Sequence, residues 1–130
     1  MTSFSPTSVR RFRLGVGWLG IALLLYLSLV PQPPQLSMEH GDKLGHALAY
    51  ATLMFWWAQL LATTRQHLCL AAGLITLGIA IEFLQGWTGW RTFDYFDMLA
   101  DAVGVVCGGI LVTLAPKVLA AGIRFASRFD

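Results

Sequence analysis

Four apolar stretches, each long enough to cross a bilayer as a helix, fill most of this 130-residue chain and leave only short connections between them. That layout excludes most soluble folds, because an ordinary domain could not bury so much apolar surface. The composition agrees: 56% of residues are hydrophobic and 12% charged, against about 25% charged in soluble domains. The expected fold class is all-α, an integral membrane four-helix bundle with short loops, in one domain spanning residues 1–130. The predicted spans are about 14–30, 43–62, 66–85 and 97–115.

The first span follows Arg10, Arg11 and Arg13 and stops at Pro31, Pro33 and Pro34, where proline cannot continue a helix. A basic start before an apolar run also describes a signal peptide, but no small-x-small cleavage site follows, so an uncleaved span is expected. The twin arginines are ordinary flanking charges. Gly15-x-Gly17-x-x-Gly20 matches a dinucleotide-binding pattern in letters only, since no strand precedes it. An aromatic loop, Gly86 to Phe96, suits a water–lipid interface, and a short basic amphipathic tail with Lys117, Arg124 and Arg128 closes the chain. Cys69 and Cys107 lack metal-ligand spacing and read as small packing residues.

Net charge is +2, and its placement matters more than its size. Arg10, Arg11, Arg13, Arg65, Lys117, Arg124 and Arg128 fall on the side shared by both termini, against Lys43 and Arg91 on the other. The positive-inside rule then places both termini in the cytoplasm, with the Pro-rich and aromatic loops outside. No basic run is interleaved with aromatics, so nucleic acid is not an expected partner. The oligomeric state is left open.

Polar residues collect at one end of the spans. Lys43, His46 and Tyr50 follow i, i+3, i+7 on the second; Glu82 and Gln85 lie one turn apart on the third. Asp97, Asp101, Gly104 and Gly108 follow i, i+4, i+7, i+11 on the fourth, where glycines admit a close neighbour. Each has a plainer reading: Lys43 as a snorkelling anchor, His46 as a core histidine, Tyr50 as an interfacial aromatic, and Asp42, Asp94 and Asp97 as helix-start acids. Glu82 and Asp101 resist such readings, since an ionised acid at mid-membrane costs about 2.5–3.5 kcal/mol on insertion scales.

The predicted site is therefore an outward-facing polar pocket between the outer ends of the second, third and fourth spans. Its candidate catalytic residues are Glu82 or Asp101 as general acid or base and His46 as proton shuttle. Lys43 and Arg91 would hold an anionic group, Tyr50 and Gln85 would orient the pocket, and Asp94 and Asp97 complete the binding set. Asp97 is expected to pair with Arg91 or Lys43. The acids outnumber the bases, so a carboxyl proton is shared or a cation completes the site. Asp, Glu and His donors could hold a divalent ion. No standard metal motif appears, no metal ligand is assigned, and no cofactor is identified.

Asp42-Lys43-x-x-His46-x-x-x-Tyr50, Glu82-x-x-Gln85, Arg91-x-x-Asp94-x-x-Asp97 and Gly104, in this order over residues 41–108, resemble the VanZ-like family of bacterial membrane proteins. Family members commonly carry asparagine at the position of Asp101. The resemblance implies a multipass protein of the bacterial cytoplasmic (inner) membrane and cell envelope; the founding member is linked to glycopeptide (teicoplanin) resistance, and no reaction is implied. The expected function is to act on, or bind, an amphiphilic or lipid-linked envelope molecule in the bilayer. The alternatives are a non-catalytic membrane binding or assembly protein, whose polar stripes are interhelical bonds, and a small proton-coupled permease with Glu82 as carrier. The permease lacks polar groups at the opposite ends of the spans, where only Thr63, Thr64, Gln66 and His67 gather.

Overall fold

The computed structural model describes residues 6–115, and these form four α-helices: α1 (Pro6–Leu29), α2 (Gly41–Ala58), α3 (Thr64–Thr88) and α4 (Tyr95–Leu114). No strand occurs among the described residues. The basic tail expected beyond Ala115 lies outside them.

Local chemistry sets each boundary. α1 begins earlier than expected, since nothing between Pro6 and Leu14 breaks a helix and proline is tolerated in a first turn. It stops at Leu29, because Val30 precedes a proline and is biased away from the helical region. α2 ends at Ala58, short of the predicted Ala62. The Gln66 side chain accepts from the Ala62 and Thr63 amides, and the Thr63 hydroxyl accepts from the Gln66 amide. This capping box starts α3 at Thr64 and draws residues 62–63 out of α2. α3 continues through Gly86 to Thr88, into the expected aromatic loop, until Gly89 takes a left-handed conformation (φ 80°) that ends it. Asp94 caps α4, its carboxylate accepting from the Phe96 amide at 2.8 Å. Asp42, a possible cap for α2, instead lies in its first turn, and His40 holds the cap position at φ 57° without a side-chain bond.

Successive helices run antiparallel. Near one end the Trp56 indole of α2 donates to the Arg13 carbonyl of α1. At the other, the Gln85 amide of α3 donates to the Ser28 carbonyl and Trp90 to the Leu29 carbonyl. α2 and α4 are the tightest pair: a Cβ on Gly104 would strike the Ala47 carbonyl oxygen, and one on Gly108 would lie 2.5 Å from that of Ala51. Two small residues four apart on each helix thus seat backbone against backbone. Tyr50, Leu53, Met54 and Ala58 of α2 then meet Val105 and Val112 of α4 and Leu74 of α3 in the apolar core.

Little else is buried. α1, α3 and α4 are long and apolar enough to cross a membrane, with mean hydropathies of 1.7, 1.9 and 1.8. Only 11, 22 and 28% of those windows is buried within the protein, so most of their apolar surface faces outward. Leu23, Phe83, Leu99, Val106 and Ile110 are among the exposed side chains. Such a surface suits a lipid bilayer and not water. Cys69 and Cys107 lie on it as well, contrary to the packing role expected of them. α2 is not among the three, because Asp42, Lys43 and His46 in its first turns lower its hydropathy.

Candidate functional site

Lys43 begins the site. Its position at the start of α2 brings the ammonium beside the start of α4, where it donates to Asp94 at 2.8 Å, to Asp97 at 3.0 Å and to Asp42 at 3.3 Å. An ammonium has three donors, and all three are taken. The expected pairing of Asp97 with a base is therefore made by Lys43, while Lys43 has no donor left for an anionic ligand. Arg91 makes no ion pair among the described residues and lines a cavity instead.

One turn deeper, His46 stands between two carboxylates. Its Nδ1 lies 2.9 Å from Asp101 Oδ1, and its Nε2 lies 3.7 Å from Asp97 Oδ2. Asp101 is 2% exposed, about 9 Å along α4 from Tyr95 at 1.5 Å per residue. Its second oxygen occupies the space left by Gly78, where a Cβ would stand 2.6 Å away. Sequence reasoning missed Gly78; its signal is that it lies one helical turn before Glu82, on the same face of α3.

Glu82 is fully buried. Its Oε2 accepts from the Asp94 amide at 3.1 Å, tying α3 to the cap of α4, while Oε1 is buried without a partner. The Tyr50 hydroxyl, on a residue 1% exposed, is likewise unpartnered. Gln85 does not join this group, because its amide is spent on the Ser28 carbonyl and fastens α1 to α3. The structure thus brings together Lys43, His46, Asp94, Asp97, Asp101 and Glu82, with Tyr50 beneath them, and separates Gln85 and Arg91 from that cluster.

The open space lies elsewhere than expected. A cavity of about 420 Å³ runs between α1, the Pro-rich segment and the first half of α2. Leu23, Leu24 and Leu27 form one wall, Leu48, Ala49 and Leu53 the other, and Pro33, Pro34 and Leu36 lie across the end. Its titratable lining is Asp42, His46 and Arg91, with Ser28, Gln35 and Thr52 as further polar residues. α1 and α2 touch at Gly17 against Trp57 and Gly20 against Leu53, then diverge toward the cavity. The spans predicted to enclose the hollow are packed together by Gly104 and Gly108. The space falls on the other side of α2, and His46 belongs to both regions.

The Lys43 hydrogen bond, followed by the Phe96 amide, holds the Asp94 carboxyl below its ordinary value near 3.8. A lowered folded value means that this pair stabilises the fold above the ordinary carboxylate range and is lost as pH falls through the folded value. Acid unfolding of Asp94→Asn should accordingly lose part of the pH dependence below about 4 shown by the parent. Superimposable acid limbs would contradict the pairing.

No family model matches the chain, and no solved structure matches it. The chain is similar to Uncharacterized protein C11E3.10 of Schizosaccharomyces pombe, at 33% identity over 88 residues. That alignment covers 65% of this chain and 54% of the yeast protein, so the chain spans about half the length of the curated relative it matches.

Proposed function

We propose that the chain is a multipass membrane protein with α2 as a fourth span, and that it binds an anionic amphiphile with its apolar part between α1 and α2. The observation that carries this reading is the cavity itself: a long apolar groove whose polar lining includes Arg91, a cation without an acidic partner among the described residues. Its volume of about 420 Å³ falls within the usual range of roughly 300–1,000 Å³ for small-molecule sites. α2 is shielded where it is charged, because Lys43 and His46 are engaged by carboxylates of the neighbouring α4.

With both termini cytoplasmic, as the arginine placement favours, the cavity opens at the outer leaflet. There a lipid-linked envelope molecule would present its head to Arg91. The likeness of the polar stripes to the VanZ-like family supports the same reading, and carries with it the bacterial inner membrane and the link to glycopeptide resistance as parts of the proposal. The reading commits to binding. Were the bound amphiphile also transformed, His46 would be the proton-transfer group lining its cavity and Asp101 the group orienting His46. The lock formed by Lys43 with Asp94 and Asp97 favours, as a second reading, a non-catalytic binding or assembly protein.

Gly45 supplies the test, since it lines the cavity and a Cβ there meets nothing within 4 Å. Gly45→Phe should fill the groove with little loss of thermal stability. Native mass spectrometry of the detergent-solubilised chain with anionic and zwitterionic lipids should show the anionic ones retained. Gly45→Phe and Arg91→Gln should each weaken that retention at least several-fold. Retention without headgroup preference, or unchanged in both variants, would overturn the reading.

A further inference from the structure

We infer that His46, Glu82 and Asp97 form a binding site for one divalent transition-metal ion, with zinc as the best-fitting occupant. The inference does not depend on which amphiphile the neighbouring cavity takes. One donor atom from each of the three residues falls within 4.8 Å of the other two, and Glu82 and Asp97 are buried. Each comes from a different helix, so the donors are held by the packing of α2, α3 and α4 together.

Three observations point to an ion here and not merely to crowded acids. The first is Glu82 Oε1, fully buried and unpartnered, on a side chain whose other oxygen is anchored by the Asp94 amide. A carboxylate oxygen left this way costs free energy that a bound cation would recover. The second is the two-sided setting of His46. Its Nδ1 is held by Asp101 at 2.9 Å, which directs Nε2 toward Asp97 Oδ2 at 3.7 Å, too far for a hydrogen bond. An ion about 2.1 Å from each of those atoms would subtend roughly 120° between them, an ordinary coordination angle. Carboxylate–histidine–metal triads use this same outer carboxylate to fix the ring and raise its basicity. Asp101 fills that role in the geometry.

The third is charge. Asp42, Asp94 and Asp97 hold Lys43, Asp101 holds His46, and Glu82 holds the Asp94 amide, so five acids are set against one lysine and one histidine. Lys43 takes Asp97 by its Oδ1 and leaves Oδ2 on the side of His46. A divalent ion offsets the excess without displacing the lysine. One imidazole with two carboxylates is a mixed nitrogen and oxygen set, suited to zinc or manganese more than to magnesium or calcium. Three protein ligands leave a fourth position open for water, or for a ligand group reaching in from the cavity past His46.

The experiment uses the full chain in detergent, stripped of metal, in a His40→Ala, His67→Ala, Cys69→Ser, Cys107→Ser background that removes the other histidine and cysteine donors. Isothermal titration with Zn²⁺ should give one site per chain. Glu82→Gln, Asp97→Asn and His46→Ala should each weaken it at least tenfold, and Asp101→Asn by about 10–100-fold as an outer-shell partner. X-ray absorption at the zinc edge of the unsubstituted parent needs no folded variant, and should show one imidazole, oxygen donors and no sulfur. Absence of stoichiometric binding, binding indifferent to Glu82→Gln and His46→Ala, or a spectrum with sulfur or two imidazoles would each overturn the assignment.

Discussion

Gly104→Ala is expected to lower the melting temperature sharply, although alanine is the better helix former. In an open helix the change would gain about 1 kcal/mol. Here the new methyl meets the Ala47 carbonyl oxygen, a backbone atom that cannot move aside by changing rotamer. Overpacking of this kind costs typically about 1–3 kcal/mol, and Gly104→Val should cost more because the helices must separate. Separation would also carry Lys43 away from Asp97 and His46 from Asp101, so loss of stability and loss of the polar cluster should appear together. Gly45→Ala is the control on the facing helix, where a Cβ meets nothing within 4 Å, and it should hold or raise the melting temperature. Thermal unfolding of the three variants in one detergent checks this. A Gly104→Ala protein as stable as the parent would contradict the close α2–α4 contact.

The second large effect is expected at Asp101, and it depends on what replaces the carboxylate. Asp101→Leu removes the partner of His46 Nδ1 in a site only 2% exposed. A neutral imidazole left with a buried, unpaired N–H would cost about 1–3 kcal/mol. An imidazolium would lose one of its two facing carboxylates and keep Asp97 Oδ2 at 3.7 Å. Asp101→Asn keeps an oxygen for the ring to donate to, matches Asp101 in shape against Gly78, and should be the milder change by a clear margin. Equal losses in the two variants would remove the hydrogen bond from the explanation.

Much of this arrangement was legible in the sequence because helical periodicity is a local property. The spacing of Lys43, His46 and Tyr50, and that of Asp97, Asp101, Gly104 and Gly108, places each set on one face whatever else the chain does, and those faces meet. Gly104 and Gly108 also foretold the tight crossing, since small residues four apart are useful chiefly where a backbone approaches. What could not be read was which neighbour each stripe would face. Gln85 shares a face with Glu82, yet its amide reaches the end of α1, because Ser28 presents a carbonyl freed by the helix terminus. The cavity was misplaced for a related reason. It arises from the divergence of α1 and α2, a tertiary fact with no local signature, while the glycines that marked the crossing closed the space expected between the other helices. The boundary of α2 was missed through Gln66, whose side chain takes amides that a longer helix would have used.

Lys43 changed role for a reason of stoichiometry. Read alone, a lysine at a membrane surface is an anion holder or an anchor. Surrounded by three carboxylates it has every donor taken, and Arg91 is the cation that lines the cavity. The cluster and the cavity then share Asp42 and His46.

The convergence of helices α2 and α4 on one buried polar cluster is tested most directly by a double-mutant cycle on His46→Phe and Asp101→Leu, read as unfolding free energy in detergent. Direct contact predicts a coupling of about 1–3 kcal/mol, with the double variant less damaged than the sum of the singles. Additivity within about 0.5 kcal/mol would show that the two side chains do not meet.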